Sequence, residues 1–266
     1  MNRVACFLVG AGIAAAVAPP VTPAHPAPNA EPVEVTVYAA ASLRDALQAI
    51  ATVCEPLAGA RLVFNFGASN DLARQIVAAD KADLFFSADE AQMDKVASEG
   101  LLDAASRVDL LSNRLAVVVP PDSKIALRSA ADLAGVNRLA LADPDAVPAG
   151  KYAKAWLEKA GVWEKVAAKV APFPDVRAAL AAVEAGSVEA GIVYMTDVPI
   201  GHQAKLAFEV PESEAVHISY PLAVLKDRPA LETARRVAAC FASSDARQVF
   251  VHFGFRTIAA ASGSKP

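Results

Sequence analysis

Apolar and polar residues alternate along Val33-Glu34-Val35-Thr36-Val37-Tyr38, the period-two pattern of a strand. From Leu43 to about Leu57 the apolar positions recur with the longer period of an amphipathic helix. The exchange then repeats, with a strand at Leu62–Phe66, a helix at Asp71–Ala79, a strand at Asp83–Ser87 and a helix at Glu90–Glu99. Near Arg107–Ser112 the pattern passes into a second unit. Leu115–Val119 predicts a buried strand stopped by Pro120-Pro121, and Ala130–Leu133 a short helix. Arg138–Ala142 predicts a strand ended by Asp143-Pro144, followed by a helix from about Gly150 to Lys159 with Gly161 as its stop. A helix at Asp175–Ala185, a strand at Ala190–Tyr194 and an extended crossing segment at His217–Leu225 come next. Helices at Ala230–Phe241 and Asp245–Phe253 close the pattern. Such alternation predicts an α/β fold of parallel sheets with helices on both faces. No linker-like composition separates the halves, as for two lobes joined by ordered strand crossovers.

The first thirty residues break this pattern. Arg3 supplies a short positive region, Val4–Ala18 is apolar, and Pro19–Ala30 is too rich in proline to continue a helix. The apolar stretch is short for a membrane span and predicts a signal peptide with a proline-rich leader over residues 1–30; an uncleaved anchor is the alternative. Cleavage at Ala24 or Ala30 fits equally. Export implies a periplasmic, oxidising location. Cys6 leaves with the signal, and Cys54 and Cys240 remain either as a disulfide or as two separate buried thiols.

Composition narrows the class. Hydrophobic residues make up 55% and charged residues 20%, which supports a packed core. The formal net charge of -4, without a basic stripe, argues against a nucleic-acid partner. Four histidines and three cysteines, with no CxxC or HExxH, give no zinc motif.

Two strand-to-helix junctions carry the candidate chemistry. In Tyr38-Ala39-Ala40-Ala41-Ser42-Leu43 and in Phe66-Gly67-Ala68-Ser69-Asn70-Asp71-Leu72, small residues precede a serine at a helix start. Both junctions lie at carboxyl ends of strands, where α/β proteins bind ligands. Two helix N-termini facing one point would cradle an anion without a formal positive charge. Each serine is equally readable as an ordinary N-cap. Tyr194 ends a strand and either reaches a cleft or sits in the core with a bonded hydroxyl. Ala149-Gly150 and Val176 open helices and so carry free N–H groups, although Val176 also suits core packing.

These blocks resemble the periplasmic molybdate-binding proteins that serve ABC transporters. The resemblance runs from Val35–Leu43 through Phe66–Ile76, Ala82–Asp89, Ala142–Ala153 and Asp175–Arg177 to Gly191–Tyr194, in order and over nearly the whole mature chain. It implies the type II two-lobed periplasmic-binding-protein fold, each lobe a mainly parallel sheet flanked by helices, with a ligand cleft between them. Residues 31–112 with 220–266 would form one lobe and residues 113–219 the other. It further implies a ligand set of Ser42 and Ser69 hydroxyls, backbone N–H groups of Ala149 and Val176, and the Tyr194 hydroxyl. The ligand would be molybdate, and tungstate beside it, held as an oxyanion with no cofactor and no metal cation bound to side chains. The partner would be a membrane ABC transporter permease, and the protein a monomer.

One departure stands in the second loop, where the family often has a serine run and this chain has Asn70-Asp71. Asp71 is expected to cap its helix with its charge turned away. Surface acids such as Asp89 and Glu90 read as well as ordinary solvated positions as they do as part of a transporter docking surface. Donors suit an unprotonated ion, so phosphate should be rejected, while size would separate molybdate and tungstate from sulfate. Alternatives are sulfate or an organic acid in the same architecture, a ligand-sensing interaction domain, or a hydrolase using Ser42. A hydrolase lacks a G-x-S-x-G around either serine, and His202, His217 and His252 fall outside the ligand loops.

Overall fold

The computed structural model describes residues 31–79 and 81–258. The signal peptide, its cleavage positions, Cys6 and His25 lie outside the described residues. The chain opens with β1 (Val33–Ala40), α1 (Arg44–Ala58), β2 (Ala60–Gly67), α2 (Ser69–Ala79), β3 (Leu84–Phe86) and α3 (Glu90–Ser98). Next come β4 (Val108–Ser112), β5 (Leu115–Val119), β6 (Leu139–Ala142), α4 (Pro148–Lys159), α5 (Trp163–Val166) and β7 (Val170–Phe173). α6 (Val176–Glu184), β8 (Ala190–Tyr194), β9 (Lys205–Glu209), β10 (Tyr220–Val224), α7 (Leu231–Phe241), α8 (Ser244–His252) and β11 (Arg256–Thr257) complete it.

Two sheets form. One runs β11-β4-β10-β3-β1-β2 and the other β7-β6-β8-β5-β9. The strands β5, β8 and β10 are buried along their whole length, which is why they read as unbroken apolar runs. Both sheets are mixed rather than mainly parallel. β1, β2 and β3 run parallel, as do β6, β7 and β8. β10 and β4 enter the first sheet antiparallel, and β5 pairs antiparallel with β8 and β9. The exceptions flank the points where the chain passes between sheets, so these strands run against the βαβ units they join.

β7, β9 and the two-residue β11 escaped the sequence pattern. β7 contains Pro172, which suppresses a strand reading, but β7 is an edge strand, where a missing N–H can face outward. β9 is the opposite edge and is only partly buried, so its apolar signal is weak. Asp89 corrects another expectation. It is 7% exposed and caps α3 by accepting from the Gln92 N–H at 2.9 Å. Burial raises its pKa, and that capping bond opposes the rise.

Gly150 belongs to a close approach. A Cβ there would collide with the carbonyl oxygens of Ala142 and Asp143, so glycine lets α4 start hard against the end of β6.

A disulfide joins Cys54 of α1 to Cys240 of α7, with the Cα atoms 5.8 Å apart and a separation of 186 positions in sequence. Both helices pack together beside the first sheet. The closed loop is long, so the bridge chiefly restricts the unfolded chain. Replacing both cysteines by alanine is expected to lower the unfolding free energy by about 2–5 kcal/mol, read from urea titration of the mature protein. Equal stability of the two forms would contradict this.

Candidate functional site

β1, β2 and β3 of one sheet and β6, β7 and β8 of the other all end at a single small cavity. Its lining includes Ala40–Ser42, Gly67–Ser69 and Ala88 on one side, and Val147–Ala149, Asp175–Val176 and Tyr194 on the other. All five positions Ser42, Ser69, Ala149, Val176 and Tyr194 are therefore brought together. The room for the centre of a water-sized sphere is about 20 Å³. Pockets for larger organic ligands begin at roughly 300 Å³, so this one suits a single small solute.

The local backbone explains the lining. α2, α4 and α6 begin at the cavity, and a tight turn at Ala41–Leu43 precedes α1 there. The first N–H groups of a helix have no acceptor within it. Ala149 and Val176 sit in first turns, and no described residue accepts from their N–H groups. The helix dipoles add partial positive charge at the same place.

Neither serine is an N-cap. Ser42 lies before Leu43, the residue that caps α1 without a side-chain bond, and its Oγ lies 3.1 Å from the Tyr220 Oη. Ser69 is the first residue of α2, and its Oγ accepts from the Ala88 N–H at 2.9 Å. Both are nearly fully buried. Tyr194 is 1% exposed, and its hydroxyl has no hydrogen-bond partner among the described residues. Buried phenols normally find a partner. Burial holds the Tyr194 pKa well above its ordinary value, so the hydroxyl keeps its proton and can donate. The Val176 side chain packs in the core, and the residue lines the cavity as the first position of α6.

Positive charge is kept off the cavity, and the carboxylate in its lining, Asp175, is engaged as a helix cap. Among the described residues, no lysine or arginine lines the cavity. Arg177 is next to Val176, yet its guanidinium is held by Asp45 Oδ2 at 2.7 Å and Asp197 Oδ1 at 2.9 Å. Asp45 belongs to α1 and Arg177 to α6, so this ion pair also ties the two sheets' helices together. The Asp175 carboxylate caps α6 through the Ala178 N–H at 2.9 Å. Asp71 does not cap its helix; its carboxylate pairs with Arg74 and accepts from Asn70, outside the cavity lining.

A family model described as bacterial extracellular solute-binding protein matches residues 35–256. Molybdate-binding protein ModA of Escherichia coli K12 is 39% identical over 231 residues, covering 84% of this chain and 88% of that protein. The chain belongs to the ModA family of bacterial extracellular solute-binding proteins. The ModA-family fold is also seen in solved structures. The periplasmic molybdate-binding protein of Azotobacter vinelandii superposes with a TM-score of 0.74 at 20% identity, covering 83% of this chain and 98% of that one. The sulfate-binding protein SubI of Mycobacterium tuberculosis H37Rv gives 0.75 at 19%, covering 86% and 88%. These ModA relatives are solute-binding proteins, not enzymes.

Tyr220, Asn113, Arg177, Asp197 and the Ala88 N–H were not legible as site groups. Tyr220 shows only as one polar-tipped residue in an apolar crossing segment, and Asn113 as a lone amide between two strands.

Asp197 gives this ModA-family chain a pH signature. It is fully buried, and burial raises its pKa from 3.8 to about 6 against the opposing pull of Arg177. The folded chain therefore holds this proton more tightly than the unfolded chain does. Its contribution to stability is complete below about pH 4 and is lost as pH rises through about 6. Asp197→Asn should flatten the stability profile between pH 4 and 6 in urea titrations. A variant profile parallel to the wild type would contradict this assignment.

Proposed function

We propose that the chain binds molybdate, with tungstate as a close substitute, and delivers it as a monomer to a membrane ABC transporter permease. The location would be periplasmic, reached through cleavage of the N-terminal signal. The carrying observation is the cavity lined by Ser42, Ser69, Ala149, Val176 and Tyr194 and by no basic side chain. Each donor to a charged acceptor contributes about 1.5–3 kcal/mol net, while micromolar affinity needs about 8 kcal/mol after association costs. Several donors must act at once, and that requires both sides of the cleft.

Binding would proceed by hinge closure. Residues 31–112 with 220–266 move as one lobe and residues 113–219 as the other, and the closed form gains contacts that the open form lacks. The permease would read the closed shape. The Arg177–Asp45 pair spans the same gap and would help hold that form shut.

Catalysis by Ser42 has no support in the surroundings. Among the described residues no histidine lines the cavity, and His202, His217 and His252 are exposed. Sulfate is the nearest competitor, since a sulfate-binding protein shares the fold.

Thermal unfolding with molybdate, tungstate, sulfate and phosphate in parallel tests the ligand. A ligand at 100 times its Kd adds about 2.7 kcal/mol, a shift of several degrees. Shifts with molybdate and tungstate, and none with sulfate or phosphate, are expected. Ser42→Ala should weaken molybdate binding roughly 10- to 100-fold by calorimetry. Unchanged affinity would remove Ser42 from the site, and a shift with sulfate alone would reassign the ligand.

A further inference from the structure

We propose that Tyr220 and Asn113 are positioning residues that fix the Ser42 hydroxyl as a donor into the cavity, and so help set which anions enter. This rests on reading the cavity as an oxyanion site. The backbone N–H of Arg114 can only donate. The Arg114 N–H donates to Asn113 Oδ1 at 2.8 Å, so the amide carbonyl faces Arg114 and the NH2 faces the other way. That NH2 has two hydrogens and two partners: Thr196 Oγ1 at 2.9 Å and Tyr220 Oη at 3.2 Å.

Tyr220 Oη thus accepts from Asn113 and must place its own proton elsewhere. The residue is fully buried, so water cannot take it. The neighbouring Tyr194 ring stands edge-on at 5.9 Å and its hydroxyl forms no well-aligned hydrogen bond. The contact between the two hydroxyls raises the Tyr194 pKa and lowers that of Tyr220, the sign of Tyr194 as donor, so Tyr194 does not take the Tyr220 proton. Ser42 Oγ, at 3.1 Å, is the remaining acceptor. Ser42 then has its oxygen engaged from inside the protein and its proton free, and the residue lines the cavity. Ser69 reaches the same state by a simpler route, because the Ala88 N–H engages its oxygen directly. Both serines are thereby turned into donors. A fully deprotonated oxyanion gains from that; hydrogen phosphate, whose own O–H needs an acceptor, does not.

Asn113 lies in the crossing from β4 to β5, and Thr196 follows β8. The relay therefore runs from the Ser42 side of the cleft, through a hinge crossing, to the other sheet.

The test uses the purified mature chain, with molybdate and inorganic phosphate titrated by calorimetry. Tyr220→Phe keeps the ring, which packs edge-on against Tyr194 and Phe255. It should weaken molybdate binding about 3- to 10-fold and narrow the molybdate-to-phosphate affinity ratio by a larger factor, since Ser42 Oγ becomes free to accept. In a Ser42→Ala background the same change should add no further loss, the mark of action through Ser42. Asn113→Ala carries the same cycle should Tyr220→Phe fold poorly. Wild-type affinity and ratio in Tyr220→Phe, or equal losses with and without the Ser42 hydroxyl, would overturn the relay. A wild-type chain that binds none of the anions would overturn the underlying site reading, and shows itself before any substitution is made.

Discussion

A doubly charged ion can leave water only where fixed dipoles replace its hydration shell. Burying it without them costs far more than any single contact returns. On the proposed reading, that constraint is met here by geometry rather than by opposite charge. Three parallel strands in each sheet deliver their carboxyl ends to one cavity, and the helices that follow present unpaired N–H groups there. Small residues at the junctions, Ala39-Ala40-Ala41 and Gly67-Ala68 among them, let the backbone come close. Gly150 does the same at α4, where any Cβ would strike the end of β6.

The nearby charges are arranged to leave those dipoles undisturbed. Arg177 adjoins a lining residue but is held between Asp45 and Asp197, and Asp175 and Asp71 are occupied by a helix cap and by Arg74. A basic side chain in the cavity would carry its own desolvation cost and leave an unpaired charge in the ligand-free state. Neutral donors avoid both. On the proposed reading, the Tyr194 hydroxyl, without a partner among the described residues, is the cost of waiting for a ligand, since a buried phenol without a partner is unfavourable until an acceptor arrives.

Much of this was legible in the chain. The alternation that opens at Val33 gave the α/β class, and the helices appear within a few residues of where their periodicity and stop signals put them. The edge strands β7 and β9 were hidden by Pro172 and by partial exposure. The mixed character of the sheets was hidden because periodicity reports burial and not strand direction. At the cavity, Ser42, Ser69, Ala149, Val176 and Tyr194 could be named as a set only through family resemblance; spacing alone left each serine readable as a helix cap. Tyr220 and Asn113 were invisible for a different reason. Their importance lies in which atom donates to which, and three-dimensional contact decides that, not order along the chain.

The most direct measurement is a crystal structure of the mature protein with molybdate bound. Oxygen atoms of the ion within about 2.7–3.1 Å of the Ser42 and Ser69 hydroxyls, the Ala149 and Val176 amides and the Tyr194 hydroxyl are the predicted result. A lysine or arginine gripping the ion, or an ion bound away from these five groups, would contradict it.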